Sequence, residues 1–93
     1  MNNQQVVLIT GASSGIGKEA AKLLAAKGYK VYGASRNLEK MEELNAYGVI
    51  TLPLDITDQQ SIDTCVDTIL KAEGRMDILV NNAGITRDKT IAK

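Results

Sequence analysis

The chain has 93 residues, 11 basic and 11 acidic side chains and a formal net charge of zero, and this length allows one small domain. The balanced charge indicates neither a nucleic-acid surface nor attraction to an acidic membrane, and no apolar run approaches membrane-spanning length. Histidine is absent from the sequence, which excludes histidine-dependent catalytic triads and would leave any metal site to carboxylates alone.

The single cysteine and the N-terminal segment favour a cytoplasmic location. Cys65 has no partner for an internal disulfide, and its helical spacing between Ile62 and Ile69 predicts a buried, inert thiol. The segment from Met1 to Gln5 is polar and lacks the apolar stretch of a signal peptide. We therefore expect a cytoplasmic protein with neither a membrane nor a nucleic-acid partner.

The first third of the chain predicts a strand, a helix and a second strand. The apolar run from Val6 to Thr10 is the first strand, and Lys30 to Ala34 is the second. A helical pattern from Lys18 to Lys27 lies between them and ends at Gly28. The residues expected on the buried face of this helix are Ile16, Ala20, Leu23 and Leu24.

The middle of the chain predicts a second helix and a third strand. Asn37 is the expected N-cap of the helix, and Gly48 lies just past its end. The apolar residues that recur at helical spacing here are Leu38, Met41 and Leu44. The third strand runs from Val49 to Leu54 and contains Pro53. Because proline cannot donate a hydrogen bond to a neighbouring strand, we expect this strand at an edge.

The last part of the chain predicts a third helix and a fourth strand. Thr57 and Gln60 have the spacing of a capping box, and the helix that they begin ends before Gly74. The residues expected to face inward are Ile62, Cys65, Val66, Ile69 and Leu70. The fourth strand runs from Asp77 to Asn81, and we expect Ile85 to Lys93 to be a mobile tail.

This alternation of strands and helices predicts an α/β fold with a parallel sheet. Right-handed crossovers place the first two helices on one face of the sheet and the third helix on the other. The expected architecture is a single, partial Rossmann-like domain over residues 1–93, a three-layer αβα arrangement with three helices and a four-stranded parallel sheet in the order 3-2-1-4. Strands one and four then diverge at a switch point, where ligands bind beyond the carboxyl ends of the strands.

A glycine-rich turn joins the first strand to the first helix. The octapeptide from Thr10 to Gly17 reads T-G-A-S-S-G-I-G. Gly11 permits a tight turn, and the absence of a Cβ at Gly15 and Gly17 lets a ligand and the helix approach the backbone. The first N–H groups of the helix lack internal partners, so together with the helix dipole they favour a pyrophosphate. The glycines alone also suit a purely structural turn.

Three motifs, in this order along the chain, resemble the short-chain dehydrogenase/reductase family. Residues Thr10 to Gly17 match T-G-x-x-x-G-x-G at every fixed position, Asp55 follows the third strand, and Asn81 to Gly84 read N-N-A-G. The resemblance extends from Val6 to Ile85 and corresponds to the N-terminal part of a typical family member. It implies that the parent activity is NADP(H)-dependent oxidoreduction of a carbonyl or alcohol. The segment from Ile85 to Asp88 looks like that of members reducing 3-ketoacyl thioesters.

The residues after the second strand favour NADP(H) over NAD(H). A site that selects NAD usually has Asp or Glu there to bond the ribose 2′-hydroxyl, whereas this chain has Ser35, Arg36 and Asn37. The guanidinium of Arg36 can donate hydrogen bonds to a 2′-phosphate, and family members that prefer NADP often carry a basic residue here. The alternative for Arg36 is an ordinary solvated arginine before a helix.

Other residues of the three motifs are further candidates for cofactor contacts. The resemblance implies that Asp55 accepts a hydrogen bond from the adenine amino group; alternatively, it is a turn or cap residue. Asn82 and the small residues after it would let the backbone approach the cofactor ribose, whereas Asn81 is expected to tie neighbouring strands together. The predicted cofactor-binding residues are Gly11, Ser13, Ser14, Gly15, Ile16, Gly17, Arg36, Asp55, Ile56, Asn82, Ala83 and Gly84.

The catalytic residues of the family have no counterpart in this chain. Family chemistry uses a tyrosine whose pKa is lowered by a lysine four positions later, and a serine that polarises the carbonyl. At that spacing, the tyrosines Tyr29, Tyr32 and Tyr47 are followed by Gly33, Arg36 and Thr51. We therefore expect no catalytic or metal-binding residues, and no reduction of substrates by this chain alone.

The predicted fourth strand has consequences for assembly. Its unpaired edge, with apolar faces beside it, predicts self-association into a homodimer or a larger assembly. The alternative to a nucleotide-binding role is a structural or self-assembling module that keeps the glycine motif only as part of its fold. The chain would then be a truncated or engineered α/β scaffold that assembles without nucleotide.

Overall fold

A computed structural model describes residues 4–13 and 15–82 of the chain. The strands Val6–Thr10 (β1), Lys30–Ser35 (β2), Ile50–Pro53 (β3) and Ile78–Asn81 (β4) form one sheet. All three pairings are parallel, and the strand order is β3-β2-β1-β4. This confirms the predicted topology, including the edge position of the strand that contains Pro53.

Three helices connect these strands, as predicted, but the middle one is not an α-helix. The α-helices are Gly15–Ala26 (α1) and Gln59–Glu73 (α2), and a 3-10 helix, Leu38–Tyr47 (η1), lies between β2 and β3. The side chain of Asn37 caps η1 by accepting a hydrogen bond from the backbone N–H of Lys40. The second helix therefore begins where the sequence predicts, although its hydrogen-bonding pattern differs.

Two apolar clusters, one on each face of the sheet, define the three layers. The first contains Val7 and Ile9 of β1 together with Met41 and Leu44 of η1. The second joins Leu8 of β1 to residues of α2, including Cys65 and Ile69. Alternate residues of β1 thus point into opposite layers, as the two-residue period of a strand requires.

The buried face of α1 differs from the one that the sequence predicts. Ile16 and Leu23 are 79% and 57% exposed, whereas Gly17 and Ala21 are buried. Ala20 and Leu24 pack against the first cluster as expected. The prediction followed the largest apolar side chains, but at Gly17 the helix lies so close to the preceding turn that a Cβ would approach the Gly11 carbonyl oxygen to 2.3 Å, and the small residue Ala21 is buried one turn later.

The N-terminus of α2 is a second correction. Asp58, rather than Thr57, is the N-cap, and its side chain accepts a hydrogen bond from the backbone N–H of Gln60. The hydroxyl group of Thr57 instead donates to Asp55. On the inward face of α2, Cys65 is buried as predicted, and burial raises the pKa of its thiol. Leu70, which we expected to face inward, is 44% exposed.

Two further findings apply only to the part of the chain that the structure describes. No helix there is long and apolar enough to cross a membrane. No group of three or more potential metal-ligating side chains occurs within residues 4–13 and 15–82. The predictions for Ser14, Ala83, Gly84 and the segment from Ile85 to Lys93 fall outside the described residues.

Candidate functional site

A cavity of about 660 Å³ lies at the carboxyl ends of β1, β2 and β3. Its volume falls within the range of about 300–1,000 Å³ that is usual for small-molecule sites. The lining residues come from the turns after these strands and from Asn82 after β4. They are Gly11, Ser13, Ala34, Ser35, Arg36, Asn37, Leu54, Asp55, Ile56, Thr57 and Asn82.

The glycine turn forms the first wall of the cavity. Gly11 has a φ of 68°, in the left-handed region that favours glycine, and this lets the chain turn sharply off β1. The backbone N–H of Ala12 donates to the carbonyl of Ala34 over 3.3 Å, which ties the turn to β2. A Cβ on Gly17 would lie 2.3 Å from the Gly11 carbonyl oxygen and 2.7 Å from Asn82 Nδ2. Glycine is therefore required at position 17 for the turn to close against β4.

Thr10 links the ends of β1 and β4 beneath this turn. Its hydroxyl donates to Asn81 Oδ1 over 2.9 Å and accepts from the backbone N–H of Asn82 over 3.0 Å. The side-chain amide of Asn82 also lies 3.4 Å from the Gly11 carbonyl oxygen, to which it donates. Asn81 thus ties neighbouring strands as the sequence predicts, and Asn82 is directed toward the glycine turn.

The turn after β2 forms the second wall. Ser35 is buried, and its Oγ accepts a hydrogen bond from the backbone N–H of Asn37 over 3.0 Å. This contact shapes the turn from β2 into η1. Arg36 lies between these two residues with an exposed side chain and lines the cavity. Its guanidinium is therefore accessible to a ligand that enters the cavity from solvent.

Asp55 forms part of the third wall and also holds a turn. Its Oδ1 accepts hydrogen bonds from the backbone N–H and the hydroxyl of Thr57, over 3.0 and 2.6 Å. These hydrogen bonds, with a smaller contribution from the charge of Arg36, lower the pKa of the Asp55 carboxyl. Asp55 therefore holds this turn and lines the cavity at the same time, so its predicted roles as a turn residue and as a ligand-binding residue do not exclude each other.

The structure brings together half of the predicted site residues and separates others from them. Those around the cavity are Gly11, Ser13, Arg36, Asp55, Ile56 and Asn82. Gly15 and Ile16 line a different cavity of about 520 Å³ on the outer side of α1, with Glu19, Ala20 and Leu23. Gly17 is buried beneath the turn.

Sequence reasoning missed three polar residues that line or support the cavity. Ser35 was noted only as a neighbour of Arg36, Asn37 as that and as a helix N-cap, and Thr57 only as a helix cap. The hydroxyls of Ser35 and Thr57 each bond a residue two positions away, and the side chain of Asn37 accepts a hydrogen bond from the backbone N–H of Lys40. The signal that could have revealed them is the concentration of short polar residues directly after β2 and β3.

A doubly wound parallel sheet with a glycine turn at its switch point defines an α/β domain of the Rossmann type. The family model for short chain dehydrogenase matches residues 5–93. The chain belongs to this family.

Curated relatives are similar to the chain over most of its length. A 3-ketodihydrosphingosine reductase of Bacteroides thetaiotaomicron is 44% identical over 81 residues, which cover 87% of this chain and 29% of that protein. The 3-oxoacyl-[acyl-carrier-protein] reductase FabG of Escherichia coli is 40% identical over 92 residues, which cover 96% of this chain and 38% of that protein. This chain thus spans less than two fifths of either relative.

Two further matches carry NADP in their descriptions. A probable NADP-dependent dehydrogenase of Dichelobacter nodosus is 42% identical over 83 residues, which cover 86% of this chain and 78% of that protein. Among solved structures, a metagenomic short-chain oxidoreductase in complex with NADP has a TM-score of 0.79 and 37% identity. That match covers 87% of this chain and 39% of the other.

Proposed function

We propose that this chain is the NADP(H)-binding portion of a short-chain dehydrogenase/reductase whose parent activity is oxidoreduction of a carbonyl or alcohol. The single observation that carries this proposal is the cavity shared by Gly11, Ser13, Arg36 and Asp55 at the switch point of the sheet. The bound cofactor supplies or accepts a hydride at its nicotinamide ring. The residues of this chain bind and orient it.

The glycine turn and the polar walls of the cavity suit a dinucleotide. The close contact of Gly17 with Gly11 leaves the N-terminus of α1 next to the turn, where unpaired N–H groups and the helix dipole favour phosphate. Ser13 and Ser14 would contact the adenosine phosphates. Asp55, with Ile56 beside it, would bind the adenine.

The residues after β4 complete the proposed cofactor site. Asn82 lines the cavity beside the glycine turn. Together with Ala83 and Gly84 it would border the cofactor ribose. Gly15 and Ile16 would take part through the backbone at the start of α1.

Arg36 is the proposed ligand of the 2′-phosphate and hence the source of the preference for NADP(H). It lines the cavity with an exposed guanidinium, and no acidic residue occupies positions 35–37. An acid at this place would bond the 2′-hydroxyl of NAD and repel a 2′-phosphate. A guanidinium instead offers a planar set of donors to the phosphate oxygens.

The proposal is tested by titrating the pure chain with NADPH and NADH and following nucleotide fluorescence. We expect saturable NADPH binding that Arg36→Asp weakens about 10- to 100-fold, as for the loss of hydrogen bonds to a charged group. NADH affinity should change much less. Lys27→Asp changes the charge equally, at an exposed position after the end of α1, and should leave both affinities unchanged.

Gly15→Val provides a second test through the backbone. Gly15 has a φ of 57°, which a β-branched residue adopts only with strain, so the turn should distort and both nucleotides should bind more weakly. Folding and assembly that are indifferent to nucleotide would instead support the alternative of a bare α/β scaffold.

We infer that the chain alone does not reduce substrates. None of its three tyrosines is followed four positions later by lysine. Pure chain supplied with NADPH and a 3-ketoacyl thioester should show no oxidation of NADPH above that in the absence of the thioester. Oxidation that depends on the thioester would contradict this inference.

We also propose that copies of the chain associate through the exposed edge of β4. Within the described residues, β4 pairs only with β1, and Leu79 is 44% exposed. The unpaired edge of a strand with apolar side chains is a template for a second copy.

A further inference from the structure

The two sides of the nucleotide cavity are continuous with two helices that pack against each other. Gly11 and Ser13 precede α1, whereas Arg36 and Asn37 precede η1. The pairing of β1 with β2 sets the start of the turn at Arg36, and the way η1 is held against α1 sets how that turn continues.

The backbone of η1 does not fix this position by itself. It is a 3-10 helix of 10 residues, and such helices rarely exceed three or four residues because their hydrogen-bond geometry is poor. Met41 and Leu44 attach η1 to the apolar cluster that also contains Ala21 of α1. These buried side chains hold η1 against the sheet, and the polar contacts between η1 and α1 add directional constraints to its position.

The polar contacts between η1 and α1 converge on Glu43. Its carboxylate lies 2.9 Å from Lys22 Nζ and 3.2 Å from Lys18 Nζ, both on α1. Hydrogen bonds from Lys22 and Lys18 lower the pKa of the Glu43 carboxyl. Lys22 Nζ also lies 5.3 Å from the ring centre of Tyr47, at the end of η1.

Neighbouring acids on η1 have no such contacts. Glu39 and Glu42 are exposed, and neither forms an ion pair with any residue that the structure describes. The two lysine side chains that meet Glu43 are only 20% and 22% exposed. Glu42 therefore differs from Glu43 in its contacts while it shares its charge and its helix.

We propose that Glu43 is a positioning residue that seats η1 on α1 and thereby places Arg36 for recognition of a 2′-phosphate. Glu43 does not line the cavity, so it acts through Arg36 rather than by touching the nucleotide. This inference rests on the proposed NADP(H) function and adds a determinant of selectivity outside the cavity.

Two substitutions that break the same ion pair with opposite changes in charge provide the test. Glu43→Gln and Lys22→Gln are titrated with NADPH and NADH. The ratio of the NADH Kd to the NADPH Kd should fall about two- to five-fold in both, as expected for loss of a partly exposed ion pair. The charge-matched controls Glu42→Gln and Lys27→Gln should leave the ratio unchanged.

Amide hydrogen exchange without nucleotide measures the seating of η1 directly. The N–H of Lys40 donates to Asn37 Oδ1 over 3.2 Å, beside Arg36. Its exchange should accelerate in Glu43→Gln and in Lys22→Gln but not in the controls. An unchanged exchange rate in both variants would overturn the positioning role.

The remaining outcomes separate this inference from the proposed function. If the ratio shifts in opposite directions in Glu43→Gln and Lys22→Gln, net charge explains the effect and the inference is wrong. If the unsubstituted chain does not bind NADPH, the proposed function fails and the selectivity role of Glu43 fails with it. The exchange of Lys40 still decides whether Glu43 seats η1.

Discussion

Tyr32 illustrates how a single polar group is accommodated within an apolar layer. It is 3% exposed and belongs to the cluster between the sheet and α2. Its hydroxyl donates to Glu73 Oε2 of α2, and Lys30 Nζ lies 3.8 Å from the same oxygen. Burial, together with the hydrogen bond and charge of Glu73, raises the pKa of Tyr32 to about 12. The folded chain therefore favours the neutral phenol.

This pKa predicts a loss of stability at alkaline pH. Tyr32→Phe should lower the free energy of unfolding by about 1 kcal/mol at neutral pH, the usual contribution of one hydrogen bond. The pKa of Tyr32 in the folded chain, about 12, exceeds the ordinary value of 10.0. The stabilisation by the Tyr32 hydroxyl is therefore complete below pH 10 and is lost as the pH rises toward 12. Urea unfolding between pH 7 and pH 12 measures this change in the free energy of unfolding.

Tyr47→Phe is the control for this experiment, because the side chain of Tyr47 is half exposed on η1. It should unfold like the unsubstituted chain at every pH. The interpretation of Tyr32 fails if Tyr32→Phe and the unsubstituted chain lose stability in parallel above pH 10.

At the scale of elements, the start of α2 shows how one residue can decide where a helix begins. The capping box of Thr57 and Gln60 is present in the sequence, but Asp55 engages both the hydroxyl and the backbone N–H of Thr57. The cap then passes to Asp58, and α2 begins at Gln59. Because the Asp55 carboxylate holds Thr57, the N-cap of α2 lies one residue later than the sequence predicts.

The two candidate caps can be separated by substitution. Asp58→Ala should lower the free energy of unfolding by about 1 kcal/mol, because it leaves a backbone N–H of the first turn without its acceptor. Thr57→Ala, the matched change one residue earlier, should leave the helical content of α2 intact. Circular dichroism during thermal unfolding compares the two variants. A larger loss of helix in Thr57→Ala than in Asp58→Ala would indicate that Thr57, and not Asp58, caps α2.

Within the described residues, β4 is an edge strand of the sheet, paired on one side only. An apolar groove of about 350 Å³ lies between the sheet and α2, and its lining includes Leu79 of β4 and Cys65 and Val66 of α2. Covering an apolar surface of this kind with another polypeptide is favourable because it removes the surface from water. The groove therefore supports the proposed association of copies along β4.

Sedimentation at high protein concentration tests this association. We expect a dimer or a larger assembly, and Leu79→Glu should shift it toward the monomer because a charge on the contact surface is costly to bury. Leu38→Glu alters a residue of nearly equal exposure on η1, 43% against 44%, and should leave the assembly unchanged. A monomer at high concentration would contradict the proposal.

Much of the fold was predictable because its determinants are local. The alternation of strands and helices follows from the spacing of apolar residues along the chain. The edge position of Pro53 follows from its missing N–H donor, and the turn at Gly11 follows from its backbone freedom. Gly11, Asp55 and Asn82 line one cavity because each follows a strand and parallel strands end at the same edge of a sheet.

The sequence by itself determined the family motifs, the strand order and the polar residues gathered at one edge of the sheet. Only the tertiary structure decided that Gly17 and Ala21, rather than Ile16 and Leu23, face the sheet. It also decided that the middle helix is a 3-10 helix joined to α1 through Glu43. These features depend on how closely distant elements approach, and a local pattern of apolar residues contains no measure of that distance.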